Sequence, residues 1–338
     1  MKVLVTGAAG LIGKSVVEEL LNLHHCVRAF DMRNSKAKAL ERKKKKVVEW
    51  RFGDLRNIAD VSDAVRGMDV VIHLGAIIPP LSNKNPQFAE YVNVDGTENV
   101  IRAIKKRNPY CRLIFTSSVS VYGDRRKNPL IRPTDPPNPN PGDAYALQKA
   151  ECEALIRASG LTWAIFRLTY VVSPEKLKLD PVMFEMPLET SIEICHVGDV
   201  GLALSRAVSE ERVWGKIMHI AGGEKCRTTY REYLDRMMQL FGLGQGFLPE
   251  GAFSTQRSYC GHMVCGLSQQ LLHFQRYELE DYYREVERQY CMKRLLLTLI
   301  RPLAQHCVLN RSPYYRRLRR ISKDKQTDLP GKVQHSAG

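Results

Sequence analysis

Tyr145 and Lys149 stand four residues apart in Tyr145-Ala-Leu-Gln-Lys149, so on a helix both side chains leave one face and can address one point. A phenol alone is a poor base near neutrality. An ammonium held beside it lowers its pKa and lets it exchange a proton with a substrate hydroxyl or carbonyl. Isolated, such a pair is usually a solvated helix face, so its meaning depends on its company. Part of that company is Phe115-Thr116-Ser117-Ser118-Val119-Ser120-Val121-Tyr122-Gly123, which begins as a strand whose carboxyl end could present a hydroxyl to a reacting oxygen. Ser118 is the first candidate, with Ser117 and Thr116 near it. Serines and threonines also cap turns, which leaves the choice among them open.

The second constellation is Thr6-Gly7-Ala8-Ala9-Gly10-Leu11-Ile12-Gly13, between an apolar run and an amphipathic one. In that context Gly7 permits a tight turn, Gly10 lets backbone approach a pyrophosphate, and Gly13 lets the helix pack on the strand. The free amides at the helix start, around Leu11 and Ile12, attract the phosphates. Asp31 follows about twenty residues later, where a carboxylate accepts bonds from ribose hydroxyls and repels a 2′-phosphate. NAD is therefore favoured over NADP, although Arg28 and Arg33 flank the position. Asp54 is placed either for the adenine edge or as a helix cap for Leu55 onward.

The elements that must hold these groups alternate. Strands are expected at 2–5, 26–30, 47–51, 70–74, 112–117 and 162–168, with helices at 11–23, 58–66, 93–106 and 144–159. Strands separated by single helices pair in parallel through right-handed crossovers, which gives an α/β, Rossmann-type doubly wound sheet. Beyond Val171, three prolines break the alternation before an element at 192–196, a helix at 200–209, a strand at 217–221 and a helix at 229–241. The expected division is a cofactor domain over 1–170, a smaller substrate-binding region over 171–290 that returns to the sheet near 192–221, and a basic helical and disordered segment over 291–338.

These residues together resemble the extended short-chain dehydrogenase/reductase family of NAD-dependent epimerases, dehydratases and hydroxysteroid dehydrogenases. The resemblance is carried by Thr6 to Gly13, Asp31, Gly53-Asp54-Leu55, His73-Leu74-Gly75-Ala76 and Asn93-Val-Asp-Gly96-Thr97. It continues through the serine strand, Tyr145 with Lys149, Arg167 to Pro174, and His196-Val-Gly-Asp199-Val, and so covers Met1 to about Phe241. It implies that Tyr145 is the general acid/base and that Lys149 binds the nicotinamide ribose while lowering the tyrosine pKa. Ser118 would orient the substrate oxygen, and Leu74, Gly75 and Ala76 would pass beneath the cofactor phosphates and ribose. Arg167-Leu-Thr-Tyr170 departs from the Arg-x-x-Asn of sugar-nucleotide members, and the interval to His196 is short for a nucleotide sugar. The Arg-x-Thr-Tyr form is closer to hydroxysteroid dehydrogenases, whose apolar alcohols or ketones would suit a site lined by Tyr170, Met183, Phe184 and Met186. Ordinary packing is the commoner use of such residues.

Three functions follow from this reading. The first is net hydride transfer between NAD and a secondary alcohol or ketone, and the second is a UDP-glucose 4-epimerase-like reaction with retained NAD. The third, a non-catalytic dinucleotide sensor, is opposed by the intact Ser118, Tyr145 and Lys149.

The 338 residues carry 51 basic and 36 acidic side chains, a formal charge of +15 that favours anionic partners without choosing among them. The partner expected is a small molecule rather than nucleic acid. Nine scattered cysteines and the direct start into Val3-Leu4-Val5 suggest a reducing, cytoplasmic setting. Cys260-Gly-His262-Met-Val-Cys265 lacks paired C-x-x-C units, so no metal is expected. Leu295-Leu-Leu-Thr-Leu-Ile300, with basic flanks and the Tyr314-to-Arg320 cluster, could rest on an anionic membrane. Docking of that helix on its own domain or on a second subunit of a homodimer is favoured, because the run is short and Pro302 interrupts it. Lys323 to Gly338, poor in apolar residues, reads as disordered.

Overall fold

A computed structural model describes residues 1–177, 180–256 and 259–327. Apolar runs form the central strands: β1 (Lys2–Thr6), β2 (Cys26–Asp31), β3 (Val48–Phe52), β4 (Val70–His73), β5 (Arg112–Ser118) and β6 (Trp163–Leu168). With Ile217–Ile220 they make a seven-stranded sheet. Every pairing in it is parallel. Its order is β3-β2-β1-β4-β5-β6 and then Ile217–Ile220 at the edge. This is the Rossmann arrangement, and the strand order reverses between β1 and β4, where a crevice opens beyond the carboxyl ends. Near-continuous burial of Val3, Leu4, Val5, Val70, Val71 and Ile72 reflects helices on both faces.

Those helices include α1 (Leu11–Asn22), α2 (Ser35–Lys44), α3 (Ile58–Val65), α4 (Gly96–Arg107) and α5 (Ala144–Arg157). Asn34 caps α2 by accepting from the Ala37 amide, an element the sequence reading left out because its lysines and arginines obscure any apolar stripe. The helix expected from 93 begins differently. Tyr91–Asp95 forms one wide π turn, and α4 starts at Gly96.

The element at Ser191–His196 does not join the large sheet. It lies in a three-stranded sheet with Arg227–Thr229 and Tyr170–Val172. The apolar cluster beneath it gathers Ile192, Tyr230, Tyr233, Met237 and Tyr282. Tyr282 comes from a 21-residue helix, α6 (Leu279–Leu299), which is followed by α7 (Arg301–Leu309) and α8 (Pro313–Thr327). The segment expected to be disordered from Lys323 is thus helical to Thr327, and 328–338 lie outside the described residues.

Candidate active site

The glycine turn is built by sterics. Gly7 has φ +69°, and a Cβ there would lie 2.9 Å from the Gly75 backbone. A Cβ on Gly13 would overlap Gly7 O and lie 2.7 Å from Ala8 Cα. The loop therefore packs backbone against backbone, and α1 starts just after Gly10 with no side-chain cap on its first amides. Those amides are the unpaired donors that a helix start offers to an anion. Asp31 sits beside them: Ala9 N donates to its Oδ2 at 2.8 Å and Met32 N to its Oδ1 at 2.7 Å. Burial raises the Asp31 pKa, and the two amide bonds oppose the rise. Arg28 is turned away to Glu49 and the Ala64 and Arg66 carbonyls, and Arg33 lies over the Phe52 ring.

One alternative of the sequence reading, Asp54 as the cap of α3, is not met. Asp54 is bound by the Arg56 amide and guanidinium, which hold its carboxyl below the usual range, and α3 is capped by Asn57 instead. Leu55 is a packing residue, meeting the positions where Gly75 and Gly96 lack side chains.

At the far end of the crevice, Lys149 is buried and donates to Thr116 O at 2.8 Å. Its ammonium is 4.5 Å from the Phe115 ring centroid and 5.9 Å from that of Tyr145. Burial lowers the lysine to about 8. Burial also raises the Tyr145 phenol, with the Asp143 and Cys152 charges acting in the same direction. Burial of the phenol thus opposes the lowering expected of a neighbouring ammonium. Ser118 ends β5, and its Oγ accepts from Ser120 N at 3.2 Å and Ser120 Oγ at 2.9 Å. As an acceptor twice over, its own O–H is left to donate to another oxygen. Ser117 Oγ is buried and has no hydrogen-bond partner among the described residues.

A polar chain missed by the sequence reading locks these parts together. Thr6 Oγ1 meets His73 Nδ1 at 2.7 Å, and His73 Nε2 meets Thr97 Oγ1 at 3.1 Å. Thr97 donates to Asn93 O, and Asn93 Nδ2 donates to Gln148 Oε1 at 2.8 Å. Gln148 precedes Lys149 on α5, so the π turn, which presents Asn93, helps fix the helix bearing Tyr145. His73 is held neutral, its pKa lowered to about 3 by burial first and by Lys149 second.

One cavity of about 870 Å3 runs from Gly7, Gly10, Leu11, Ile12 and Gly13, past Leu74 and Ala76, to Thr116, Ser117, Ser118, Tyr145 and Lys149. Beyond Tyr170 it continues among Met183, Tyr233, Met237 and Tyr282, reaching Leu297, Ala304 and Val308 of the carboxyl-terminal helices. Asp31, Asp54, Leu55 and Gly75 do not line it. Phe184 and Met186, weighed for its wall against the commoner use in packing, are core residues, and Phe184 packs on Phe253 with ring centroids 5.2 Å apart. The contribution of α6 was legible in principle, since Tyr282, Val286, Tyr290, Lys293 and Leu297 repeat at helical spacing. Among the described residues no group of three metal-ligating side chains gathers, and Cys260 and Cys265 are free buried thiols.

Comparison with known proteins gives these residues a setting. The NAD dependent epimerase/dehydratase family matches residues 3–216. An uncharacterized UDP-glucose epimerase of Bacillus subtilis is 24% identical, over 67% of this chain and 78% of its own. The UDP-glucose 4-epimerase of Pisum sativum is 33% identical over 50% of this chain, a match that spans 51% of the pea enzyme. A 3-beta-hydroxysteroid dehydrogenase of Mycolicibacterium neoaurum is 37% identical over 36% of this chain and 32% of its own. Among solved structures, a dTDP-glucose 4,6-dehydratase of Streptomyces venezuelae with NAD bound has a TM-score of 0.73 at 21% identity. That alignment covers 88% of this chain and 98% of the other, and the likeness is one of fold.

Proposed function

The chain belongs to the NAD dependent epimerase/dehydratase family, and from that premise we propose that it transfers a hydride between NAD and an apolar secondary alcohol or ketone through Ser118, Tyr145 and Lys149. The observation that carries the reading is the single cavity joining the glycine turn to these three side chains and then to a chamber of tyrosine, methionine and leucine. The backbone cradle at Gly7 and Gly13, the uncapped start of α1 and the Asp31 carboxylate fit a dinucleotide, with Arg28 and Arg33 engaged elsewhere favouring NAD over NADP. When bound, NAD supplies the hydride acceptor or donor.

The remaining chemistry belongs to the chain. Ser118 donates a hydrogen bond from its hydroxyl to the substrate oxygen and fixes its direction. Tyr145 Oη, as the phenolate, takes the hydroxyl proton during oxidation and, as the phenol, gives it back during reduction. Lys149 holds positive charge behind the phenol and is itself positioned by Thr116 O. The apolar chamber excludes water from the reacting carbon.

The epimerase reading is favoured by the two UDP-glucose epimerase relatives. Against it, Lys149 and Lys293 are the cations among the described lining residues, little for a nucleotide diphosphate. The two readings separate in one assay, in which the chain is offered NAD with apolar secondary alcohols and, in parallel, UDP-glucose. Net NADH absorbance with an alcohol is the expected result. Interconversion of UDP-sugars without net NADH would replace it with the epimerase. Cofactor binding with neither reaction would leave the sensor.

A further inference from the structure

The carboxyl-terminal helices have two apolar faces, and the cavity uses only one. Leu297, Ala304 and Val308 turn inward to line it. On the outer side Met292 is 87% exposed, Leu295 73%, Leu299 74% and Leu303 63%, joined by Leu296 and Ile300. Within α6, positions 292, 295, 296 and 299 repeat at the spacing of one helix face, and Leu303 follows on α7. The ridge crosses the junction where Ile300 ends α6 and begins α7. Isolated exposed leucines need no explanation, but a continuous ridge of them marks a contact surface.

Charge decides which contact. From Arg288 to Lys323 aspartate and glutamate are absent, and the cations include Arg294 and Arg301 beside the ridge, Lys293 on its cavity side, and Arg316, Arg317, Arg319 and Arg320 on α8. Arg294 reaches back to Glu287 and lies against Gly242, the Lys293 ammonium lies over the Tyr290 ring, and the Arg301 guanidinium lies by Gly244. A two-fold interface between copies through this face would juxtapose the same patch with itself and bring like charges together. A phosphate backbone would match the cations and leave the leucines in water. An anionic lipid surface matches both, taking the apolar ridge at the acyl boundary and the cations among the headgroups. No described helix is long and apolar enough to cross the bilayer.

We propose that the outer face of α6 and α7, centred on Leu295, Leu299 and Leu303, docks the protein peripherally on anionic phospholipid membranes. The inner face of the same helices walls the cavity, so docking sets that wall beside the lipid. The inference stands whichever substrate the cavity takes.

The test is flotation of the full chain with phosphatidylglycerol-containing vesicles and with pure phosphatidylcholine vesicles. Expected is binding to the anionic vesicles at least about ten-fold stronger than to the neutral ones, weakening as salt is raised. The triple variant Leu295→Glu, Leu299→Glu, Leu303→Glu should lose that binding by about ten-fold or more through lost apolar insertion and added repulsion. It should retain NAD binding, which reports that the fold is intact. Failure of the wild-type chain to float with anionic vesicles overturns the proposal, as does equal binding to neutral ones. A dimer that the triple variant dissociates assigns the face to a second copy instead, and capture of an oligonucleotide without vesicle binding assigns it to nucleic acid.

Discussion

Asp31 accepts a backbone amide on each carboxylate oxygen, one from the glycine turn and one from its own strand end. It therefore shapes the turn as well as facing it, and Asp31→Ala should weaken NAD binding and narrow the preference over NADP by about ten-fold, the scale of one charged hydrogen bond. Paired titrations with NAD and NADP check this, and equal affinities in the unmodified chain would contradict it. Lys149 carries a pH dependence. Its pKa of about 8 in the fold lies below the ordinary 10.5, so the cation is lost as pH rises through about 8. Carbonyl reduction needs that cation behind a protonated phenol, so kcat/KM for reduction should fall above pH 8, with Lys149→Arg moving the limb upward. A profile flat to pH 10 would remove Lys149 from that role. In stability the sign is opposite, because the folded chain binds fewer protons than the unfolded one between about 8 and 10.5 and the cost of burying the charge is relieved as pH rises.

Between elements, a buried polar clamp holds Arg167 of β6 against Glu153 of α5, at 2.9 and 2.6 Å, with Arg167 also donating to Tyr122 Oη at 2.5 Å. Both charged side chains are buried. Removing one partner strands the other, so Glu153→Leu should cost about 3–5 kcal/mol in a urea unfolding series. A loss under 1 kcal/mol would show that the guanidinium finds another partner. The strands β1, β2, β4, β5 and β6 were legible because their apolar runs are bounded by turn residues, and α1 and α5 because of their spacing. Several features were not. The basic α2 carries its signal only in the Asn34 cap. Asp54 was drawn to Arg56 two residues on, a local pairing that no strand-end rule foresees. Phe184 and Met186 carry the same apolar signal as Met183, and only the fold decides which of them faces the cavity. In the site, residue types and order were readable, whereas the Asn93–Gln148 bond that seats α5 joins positions whose meeting depends on the π turn.

Across the whole molecule, the buried imidazoles of His73 and His219 weigh on stability in acid. His73 lies between Thr6 and Thr97, and His219 between Tyr122 Oη at 2.6 Å and Val264 O at 3.1 Å. Burial lowers both to about 3, with Lys149 adding at the first and Arg167 at the second. Between the ordinary 6.5 and about 3 the unfolded chain binds the protons, so stability is lost as pH falls, by up to about 1.4 kcal/mol per pH unit for each histidine. Asp199, raised by burial to about 6, partly offsets this, because its folded form takes up a proton first. Thermal unfolding from pH 7 to 4 should show a net fall that is shallower in His219→Gln, and an unchanged slope would contradict the assignment. Sheet, polar chain and cavity together serve one proposed event, proton exchange at Tyr145 Oη during hydride transfer. The most direct measurement compares turnover of the wild type and Tyr145→Phe at saturating NAD, alongside their NAD affinities. The account predicts a drop of about 10² to 10⁴ in kcat with NAD affinity unchanged; equal turnover in the two proteins would contradict it.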